Sequence, residues 1–548
     1  MIVADFRSTR NEASGSEYHY KYSKTVFDNT LNYNYEFNKN HVLDAVAGIS
    51  FERGISRSTR MNSQTYPDND IYTNLGSAAS ISSWGNGYNA SGLFSSFARI
   101  NYKLMERYLF TFTGRYDGSS MFGSNNRYGF FPSGAIAWRI SQEKFMKNLT
   151  FINDLKLRAS VGTTGTQNLT SFSNRDLYEA TSYNNLSAII HKQVGNRDIR
   201  WEKSTQYDLG LDFALFDYRL TGSISGYIKD TKDLIWSFDF PPSATGGSMQ
   251  MNRNIGALTN RGIEINLVGR VLSTKDWNLD LTLNMSHNKN KVTKLVEEGR
   301  AQSAMNVVVQ GSYADQVLAV GYPMGAFHGY EYAGIIQDQA RIDELNAYAK
   351  SKGQSYYDGN SLKPGHLEIK DLNGDGIINY NDRVIIGNPD PDLFGGLTAN
   401  LSYKQFSLFA NFGYQIGGLK IYNKTLQNLP GQLTGLIDYG LNDRWSDTNK
   451  DAKYPALYIG DGVPRLTDHE LFNASFFRLQ EVRLTYNLPL NKVIKGQLFV
   501  SATNLFTLTS YPGTDPATVN SNSNYGGNYE TSTYPGFRSF SAGLKINL

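Results

Sequence analysis

Hydrophobic and polar residues alternate along much of this chain with a period of two. In residues 25 to 37, TVFDNTLNYNYEF, the apolar side chains of Phe27 and Leu31 lie on one face of an extended backbone, and Asp28 lies on the other. Successive side chains of a strand point to opposite faces, so this segment predicts a β-strand with one apolar and one polar face. The turn NKN connects it to HVLDAVAGISFE, residues 41 to 52, which alternates in the same way. Together the two segments predict a β-hairpin.

The alternation continues to the end of the chain. In WNLDLTLNMSH, for example, Leu281 belongs to the apolar face and Asn284 to the polar face. The last strand, FSAGLKINL, runs to Leu548, and a chain that stops inside a strand needs a neighbouring strand to pair with it. The pattern predicts fifteen strands, at residues 25 to 37, 41 to 52, 92 to 104, 108 to 117, 130 to 140, 154 to 162, 203 to 215, 218 to 229, 259 to 271, 277 to 287, 392 to 404, 406 to 415, 476 to 488, 496 to 506 and 536 to 548.

The connections between these strands alternate between short and long. Structureless links longer than about 12 to 15 residues are uncommon in compact soluble domains, whereas short turns at one rim and long loops at the other are typical of outer-membrane barrels. Polar-face residues such as Asp280 suit a water-filled lumen better than a dry core. The pattern therefore predicts an all-β, transmembrane antiparallel β-barrel, with a secreted β-sandwich array as the alternative. The long links are residues 53 to 91, 163 to 202, 230 to 258, 288 to 391 and 416 to 475.

Composition narrows the class of protein. The 548 residues carry 53 basic and 50 acidic side chains, well mixed, which gives no electrostatic support for binding nucleic acid. There is no cysteine, so disulfide frameworks and thiolate metal sites are excluded. The sequence contains no run of about 18 apolar residues, so it predicts no membrane-spanning helix. The start, MIVADFRSTRNEASGSEYHY, lacks the features of a signal peptide, so either the chain is not exported or its beginning is missing.

Six stretches of the chain resemble the SusC/RagA family of TonB-dependent outer-membrane transporters. They are YLFTFTGRYDGSSMFGSNNRYGFFPSGAIAWRIS, LKLRASVGTTGTQ, NIGALTNRGIEINL, IKDLNGDGIINYNDRVIIGNPDPDLFGG, FFRLQEVRLTYNLP and YPGFRSFSAGLKINL. The resemblance implies that residues 1 to 548 are the C-terminal portion of one 22-stranded barrel. About seven strands, the plug domain, the TonB-contacting segment and the signal peptide are then expected outside this chain. Leu548 departs from the aromatic residue that commonly ends such barrels.

The same resemblance implies a function and a set of partners. It implies import of oligosaccharides or peptides across the bacterial outer membrane, with contacts to membrane lipid and with a SusD-like surface lipoprotein as a lid. The TonB complex would act through the plug. The alternative function is a calcium-dependent cell-surface glycan-binding module without transport. Enzymatic motifs are absent from the sequence, which contains no HExxH and no GxSxG, so the chain is not expected to be an enzyme.

The segment DLNGDGIINYND, residues 371 to 382, has the spacing of a calcium-binding loop within the longest extracellular link. In such loops, acidic and amide side chains and one carbonyl supply oxygen ligands around a glycine that makes a sharp turn. The alternative is an Asx-turn loop satisfied by its own backbone. A bound calcium would be structural, pinning the long link. The predicted ligands are Asp371, Asn373, Asp375, the carbonyl of Ile377, Asn379 and Asp382, with Gly376 at the turn.

Two further features of the sequence bear on the extracellular and membrane-facing parts. DQARIDELNAYAKSKG, residues 338 to 353, predicts a short surface helix. Aromatic residues near strand ends suit either sugar stacking or, as the preferred interpretation, the interfacial girdle of a membrane barrel. They are Tyr108, Trp138, Trp201 and Trp277.

Overall fold

Fifteen strands form one large antiparallel sheet in which each strand is hydrogen-bonded to the next along the chain. They are β1 (Ser14–Asn38), β2 (His41–Gln64), β3 (Ser80–Leu104), β4 (Tyr108–Ser119), β5 (Tyr128–Arg139), β6 (Ile152–Thr166), β7 (Glu202–Leu215), β8 (Leu220–Lys232), β9 (Ala257–Ser273), β10 (Trp277–Lys294), β11 (Pro391–Tyr403), β12 (Phe406–Gly417), β13 (Phe476–Leu488), β14 (Lys495–Thr509) and β15 (Ser539–Asn547). The structure, a computed structural model, describes residues 14 to 66, 74 to 184, 186 to 240, 243, 249 to 295, 307 to 310, 315 to 357, 362 to 422, 443 to 456, 467 to 489, 495 to 518, 529 to 530 and 536 to 547.

All fifteen predicted strands are confirmed, but the predicted link 53 to 91 is wrong. Most of that segment is strand, because β2 continues to Gln64 and β3 begins at Ser80. The register runs on through these extensions, where Arg60 pairs with Gly85. The extensions carry polar residues on both faces, so they lack the apolar alternation that made the lower parts of the strands visible in the sequence.

Cross-strand register aligns the side chains of successive strands into uniform rows. Directly opposite residues of an antiparallel pair lie on the same face of the sheet. One row across β10 to β15 is apolar throughout, and a nearby row on the opposite face is polar throughout, which confirms the two-faced strands. The apolar row is Leu279, Leu401, Leu408, Leu484, Val500 and Ala542; the polar row is Thr282, Thr398, Asn411, Glu481, Thr503 and Ser539.

The apolar face of the sheet is open to its surroundings. Leu31 and Phe540 are each 74% exposed, and Phe112 is 59% exposed. Soluble proteins rarely expose contiguous apolar patches larger than a few hundred Å², so this face calls for a non-aqueous neighbour such as lipid. Within the described residues, no helix combines the length and the apolar character needed to cross a bilayer.

Aromatic rings cluster where short turns connect the strands. Trp277 of β10 contacts Tyr403 of β11 with ring centroids 4.2 Å apart, and Phe406 contacts Tyr486 at 4.8 Å. These positions fit the predicted interfacial girdle. For Trp201 the girdle and sugar-stacking interpretations are both wrong, because that side chain is only 4% exposed and is packed among other aromatic rings.

The chain consists of two compact units. The first comprises Met1–Trp138, Ala159–Tyr207 and Asp230–Ala257. Its buried cluster is built by Phe122 from the β4–β5 connection, Phe131 from β5, and Ile199 and Trp201 from the link before β7. Besides the large sheet, its elements are a 3-10 helix at Leu75–Ser77 and a four-stranded sheet of Leu177–Tyr183, Leu186–Gln193, Ile235–Phe240 and Met249–Asn254.

The second unit comprises Arg139–Arg158, Asp208–Lys229 and Leu258–Leu548. It contains helix α1 (Gln339–Ser351), which confirms the predicted surface helix. Its further strands are Val307–Gln310, Asp315–Leu318, Ala326–Gly329, Tyr332–Ile335, Leu367–Ile369, Val384–Gly387, Leu419–Tyr422, Leu471–Asn473 and Tyr529–Glu530, and its 3-10 helices are Ile140–Gln142, Lys144–Met146, Tyr380–Asp382 and Asp468–Glu470.

Candidate functional site

The acidic loop 371 to 382 follows the short strand Leu367–Ile369, ends in the 3-10 helix Tyr380–Asp382 and lies beside helix α1. Asp338 caps α1 by accepting a hydrogen bond from the backbone N–H of Arg341 at 2.9 Å. An Asx cap of this kind fixes where a helix begins. The inward face of α1 packs in a buried cluster with Ile369, just before the loop, and with Ile378, inside it, so the loop rests on a packed support. The cluster contains Tyr330, Ile336, Ile342, Leu345, Ala349, Tyr356, Tyr357, Ile369 and Ile378.

Asp371 organises the first half of the loop. Its Oδ1 accepts the N–H of Gly374 at 2.7 Å, and its Oδ2 accepts the N–H of Gly376 at 2.7 Å. The Oδ2 atom also accepts the hydroxyl of Tyr348, which reaches over from α1 at 3.0 Å. One carboxylate therefore holds the turn and connects it to the helix.

Asp382 organises the second half and is fully buried. Its Oδ1 accepts the N–H of Leu372 at 3.1 Å, and its Oδ2 accepts the N–H of Asn379 at 2.9 Å. Asn379 in turn accepts the N–H of Asn381 through its side chain, which completes a capping box on the 3-10 helix. The two ends of the loop are thus joined through one carboxylate.

The central residues of the loop form successive Asx turns. Asn373 Oδ1 accepts the N–H of Asp375 at 2.8 Å, and Asp375 Oδ1 accepts the N–H of Ile377 at 3.0 Å. The second oxygen of Asp375 accepts the side-chain amide of Asn373 at 3.0 Å. The backbone pattern of the alternative interpretation is therefore present. Each carboxylate oxygen has two lone pairs, so an oxygen that accepts a backbone N–H keeps a second lone pair for a cation.

Gly376 is required at the turn for two reasons. Its φ of +87° lies in the left-handed region, which residues with a Cβ rarely adopt. A Cβ at this position would also lie 2.8 Å from the Cβ of Lys352 at the end of α1. The glycine of the calcium-loop pattern therefore allows the loop to approach the helix closely.

The carboxylates share one electrostatic environment. The hydrogen bond to Asp371 raises the pKa of the Tyr348 hydroxyl, and the charges of Asp371, Asp375 and Asp382 act in the same direction. Partial burial alone would raise the pKa of the Asp371 carboxyl, but the N–H groups of Gly376 and Gly374 and the Tyr348 hydroxyl lower it overall. The Asp371 carboxylate is therefore held in its ionised form.

The loop presents an all-oxygen donor set, which is what a hard cation such as Ca²⁺ prefers. The predicted ligands all lie in this one loop, where Ile377 is half-buried. Among the described residues, no three His, Cys, Asp or Glu side chains stand close enough together to form a metal cluster by themselves. A cation here would therefore also need amide and backbone oxygens, as the sequence pattern requires. Calcium binding stays a prediction.

A family model described as "TonB dependent receptor-like, beta-barrel" matches residues 3 to 365 of the chain, which is more than half of it. The chain belongs to this TonB-dependent receptor family. The sheet order agrees, because every strand of the large sheet pairs with its neighbour in sequence, as in an up-and-down barrel.

Named relatives in this receptor family are similar over most of the chain. TonB-dependent receptor P3 of Formosa agariphila is 34% identical over 544 residues, covering 96% of this chain and 52% of that protein. TonB-dependent receptor SusC of Bacteroides thetaiotaomicron is 31% identical over 472 residues, covering 83% of this chain and 43% of that protein. The structure of the RagAB peptide transporter matches with a TM-score of 0.80 and 27% identity, covering 98% of this chain and 57% of that chain.

The TonB-dependent receptor chain therefore spans about half the length of the curated relatives that it matches. Proteins of this barrel family, including SusC, are outer-membrane proteins, which places the chain in the bacterial outer membrane. The exposed apolar face of the sheet has its lipid neighbour there. The predicted SusC/RagA type and barrel fold are confirmed.

The site contains one residue that the sequence did not single out. Tyr348 bonds Asp371 from a separate element, 23 positions earlier in the chain. Its position one turn from the end of α1 is a matter of tertiary packing, and no local spacing rule could have found it. The predicted helix boundary was the only available signal.

Proposed function

We propose that this chain forms part of the barrel wall and the extracellular loops of a TonB-dependent importer for oligosaccharides or peptides. The observation that carries the proposal is the match to the RagAB peptide transporter over 98% of the chain, at 27% identity and a TM-score of 0.80. The similarity to SusC supports the same type of receptor. Energy would arrive from TonB through a plug domain in the remainder of the full-length protein.

The two faces of the sheet support this role. In an outer-membrane barrel the outer face contacts lipid and the inner face lines a polar lumen. The polar row through Thr398 and Asn411, which are hydrogen-bonded at 3.1 Å, would then line the substrate path. The apolar row through Leu408 and Leu484 would contact acyl chains.

The partner we propose is a SusD-like surface lipoprotein that closes over the extracellular loops. The long links contain packed cores of their own, such as the cluster around Ile342 and Tyr357, and are therefore structured enough to act as a docking platform. The extracellular loops would contact both the lid protein and the substrate of the importer, because both are on this side of the membrane.

The importing role is tested by deleting the gene in its own bacterium and measuring growth on defined oligosaccharides and on peptides as sole nutrients. We expect loss of growth on one class, restored by the full-length gene. Affinity purification of the tagged full-length protein should recover a surface lipoprotein. Unchanged growth on every tested nutrient would contradict import.

We further propose that the loop 371 to 382 binds a structural Ca²⁺. The residues that would hold it are Asp371, Asn373, Asp375, the Ile377 carbonyl, Asn379 and Asp382. Its support is the oxygen-only donor set and the negative field that the three carboxylates impose on Tyr348. The cation would neutralise the buried Asp382 and pin the link to α1.

The alternative function, a calcium-dependent glycan-binding module without transport, makes a different prediction. In that case a glycan would bind to cells in a calcium-dependent way but would not accumulate inside them. Comparing surface-bound and internalised label in the same cells separates the two functions.

A further inference from the structure

Three tyrosines stand in a line on the polar face of β1. Tyr18, Tyr20 and Tyr22 occupy alternate positions and are 53%, 58% and 55% exposed. The register between β1 and β2 is continuous from Ser14 to Glu36, so these side chains share a face with Asp28. They lie on the opposite face from Phe27 and Leu31. The line therefore does not belong to the lipid-facing surface.

The residues of β2 and β3 beside the tyrosines form a polar surface, named the floor from here on. The residues opposite them on β2, and beyond those on β3, are small or hydrogen-bonding, and Arg60 is the one side chain in the three rows that is charged at neutral pH. A Cβ built on Gly85 meets no atom within 4 Å, so the floor at that point is open. The rows are Tyr18, Arg60 and Gly85; Tyr20, Ser58 and Gly87; and Tyr22, Ser56 and Asn89.

The three tyrosines, named the ladder from here on, include one stacked pair of rings and have a cation at one end. The rings of Tyr18 and Tyr20 are 6.2 Å apart between centroids and nearly parallel, at 18°. The guanidinium of Arg60 lies 5.5 Å from the centroid of Tyr18. From Tyr18 to Tyr22 a strand rises about 14 Å. The ladder is therefore long enough for a short chain of ring-shaped groups rather than for a single one.

The position of the ladder relates it to the substrate path. The turn between β1 and β2 is short, at residues 39 and 40, so Tyr18 lies at the opposite rim, from which the long links leave. In outer-membrane barrels that rim is extracellular and the polar face lines the lumen. Three adjacent half-exposed aromatic rings on a polar, water-facing surface form a contiguous patch, and patches of this kind rimmed by polar residues mark binding sites.

We propose that Tyr18, Tyr20 and Tyr22 form an oligosaccharide-binding strip at the extracellular mouth of the lumen. A pyranose ring has an apolar C–H face that packs on an aromatic ring and a rim of hydroxyls that pair with polar groups. The floor offers the hydroxyls of Ser56 and Ser58 for that purpose, and Arg60 suits a neutral or acidic sugar. The strip rests on the proposed importing function and assigns it the oligosaccharide class.

A peptide fits this surface less well. The three rows provide no carboxylate for a peptide amine or a basic side chain. A neutral or acidic carbohydrate does not need one. The charge of the strip therefore favours the sugar.

The test uses the full-length protein in detergent on an array of neutral and acidic oligosaccharides, followed by titration of the strongest glycan. The variant Tyr18→Ala, Tyr20→Ala, Tyr22→Ala should lose affinity for that glycan about tenfold or more. The variant Tyr18→Phe, Tyr20→Phe, Tyr22→Phe should retain most of the affinity, because it keeps the rings.

A matched control is available on the same strand. Tyr33 and Tyr35 are 53% and 47% exposed, and their rings are 6.1 Å apart at 9°, but they lie on the apolar face. The double variant Tyr33→Ala, Tyr35→Ala should bind the glycan like the wild type. An equal loss in both variants would show a general folding defect and would overturn the assignment to the ladder.

The remaining outcomes are decisive for the strip and distinguishable from failure of the import proposal. If the wild-type protein binds no glycan but binds members of a peptide library, the strip is wrong while import stands. If glycans bind equally to the wild type and the ladder variant, the strip is again wrong. If cells lacking the gene import every nutrient normally, the importing function itself fails, whatever the array shows.

Discussion

At the residue scale, the face of the strand on which a side chain lies decides whether it meets lipid or water. Leu281 pairs with Ala399 in an apolar row. Asn284 is three positions after Leu281 on the same strand, pairs with Gly396 and lies on the opposite face. The sequence allowed this assignment because lipid on one face and water on the other impose strict alternation. The identity of the binding residues was less predictable, since Tyr18, Tyr20 and Tyr22 resemble any alternating strand until the register assigns them a face.

A pair of arginine substitutions tests the face assignment. Leu281→Arg should cost about 2–4 kcal/mol of the free energy of unfolding in bilayers, because it places a charge in the hydrocarbon. Asn284→Arg should cost far less, because its side chain meets water. Denaturant titration of the full-length protein in lipid vesicles measures both. Equal costs would mean that the two faces have been exchanged or that neither contacts lipid.

At the element scale, strands were predictable from the sequence where one face contacts the membrane and the residues alternate between apolar and polar. Strands without that alternation were missed. The membrane parts of all fifteen strands were predictable, but the extension of β2 to Gln64 was not, because both of its faces are wet. Short strands such as Leu177–Tyr183 were missed for a related reason. They are held by contacts within the long links, and a strand of so few residues is too short to show a clear period-two pattern.

The close approach of the acidic loop to α1 gives a second prediction. Gly376→Ala should be more damaging than Gly374→Ala. Both positions have positive φ, at +87° and +72°, but only the first would place a Cβ 2.8 Å from Lys352. Backbone strain alone should cost about 1–2 kcal/mol in each, and the contact adds to it at Gly376. Hydrogen exchange in α1 should be accelerated more by Gly376→Ala, and equal protection in the two variants would contradict the contact.

Calcium binding is tested on the same element. With wild-type protein, Ca²⁺ should slow proteolysis within residues 288 to 391 relative to chelator, and Asp375→Ala with Asp382→Ala should abolish that effect. Because Asp382 also accepts backbone N–H groups, Asp375→Asn is the cleaner change: its Oδ1 can still accept from Ile377 while the charge is lost. Asp343→Asn on α1 is the control. A wild-type protein indifferent to calcium would leave the Asx-turn interpretation.

At the scale of the whole molecule, the large sheet has two outer edges among the described residues, at β1 and β15. Unpaired backbone groups in hydrocarbon cost several kcal/mol each, so residues 1 to 548 alone are not expected to insert as a stable closed pore. The chain also spans only about half of its curated relatives. Transport is therefore expected of the full-length protein and not of this part.

The measurement that tests the central claim most directly is uptake of a labelled substrate by cells that lack the native gene. Such cells are complemented either with the full-length gene or with residues 1 to 548 behind a signal peptide. We expect the full-length protein to restore accumulation that a protonophore abolishes, and the part alone to restore none. Energy-dependent uptake through residues 1 to 548 alone, or full-length uptake that is insensitive to the protonophore, would contradict the assignment of this chain to the wall of a TonB-dependent importer.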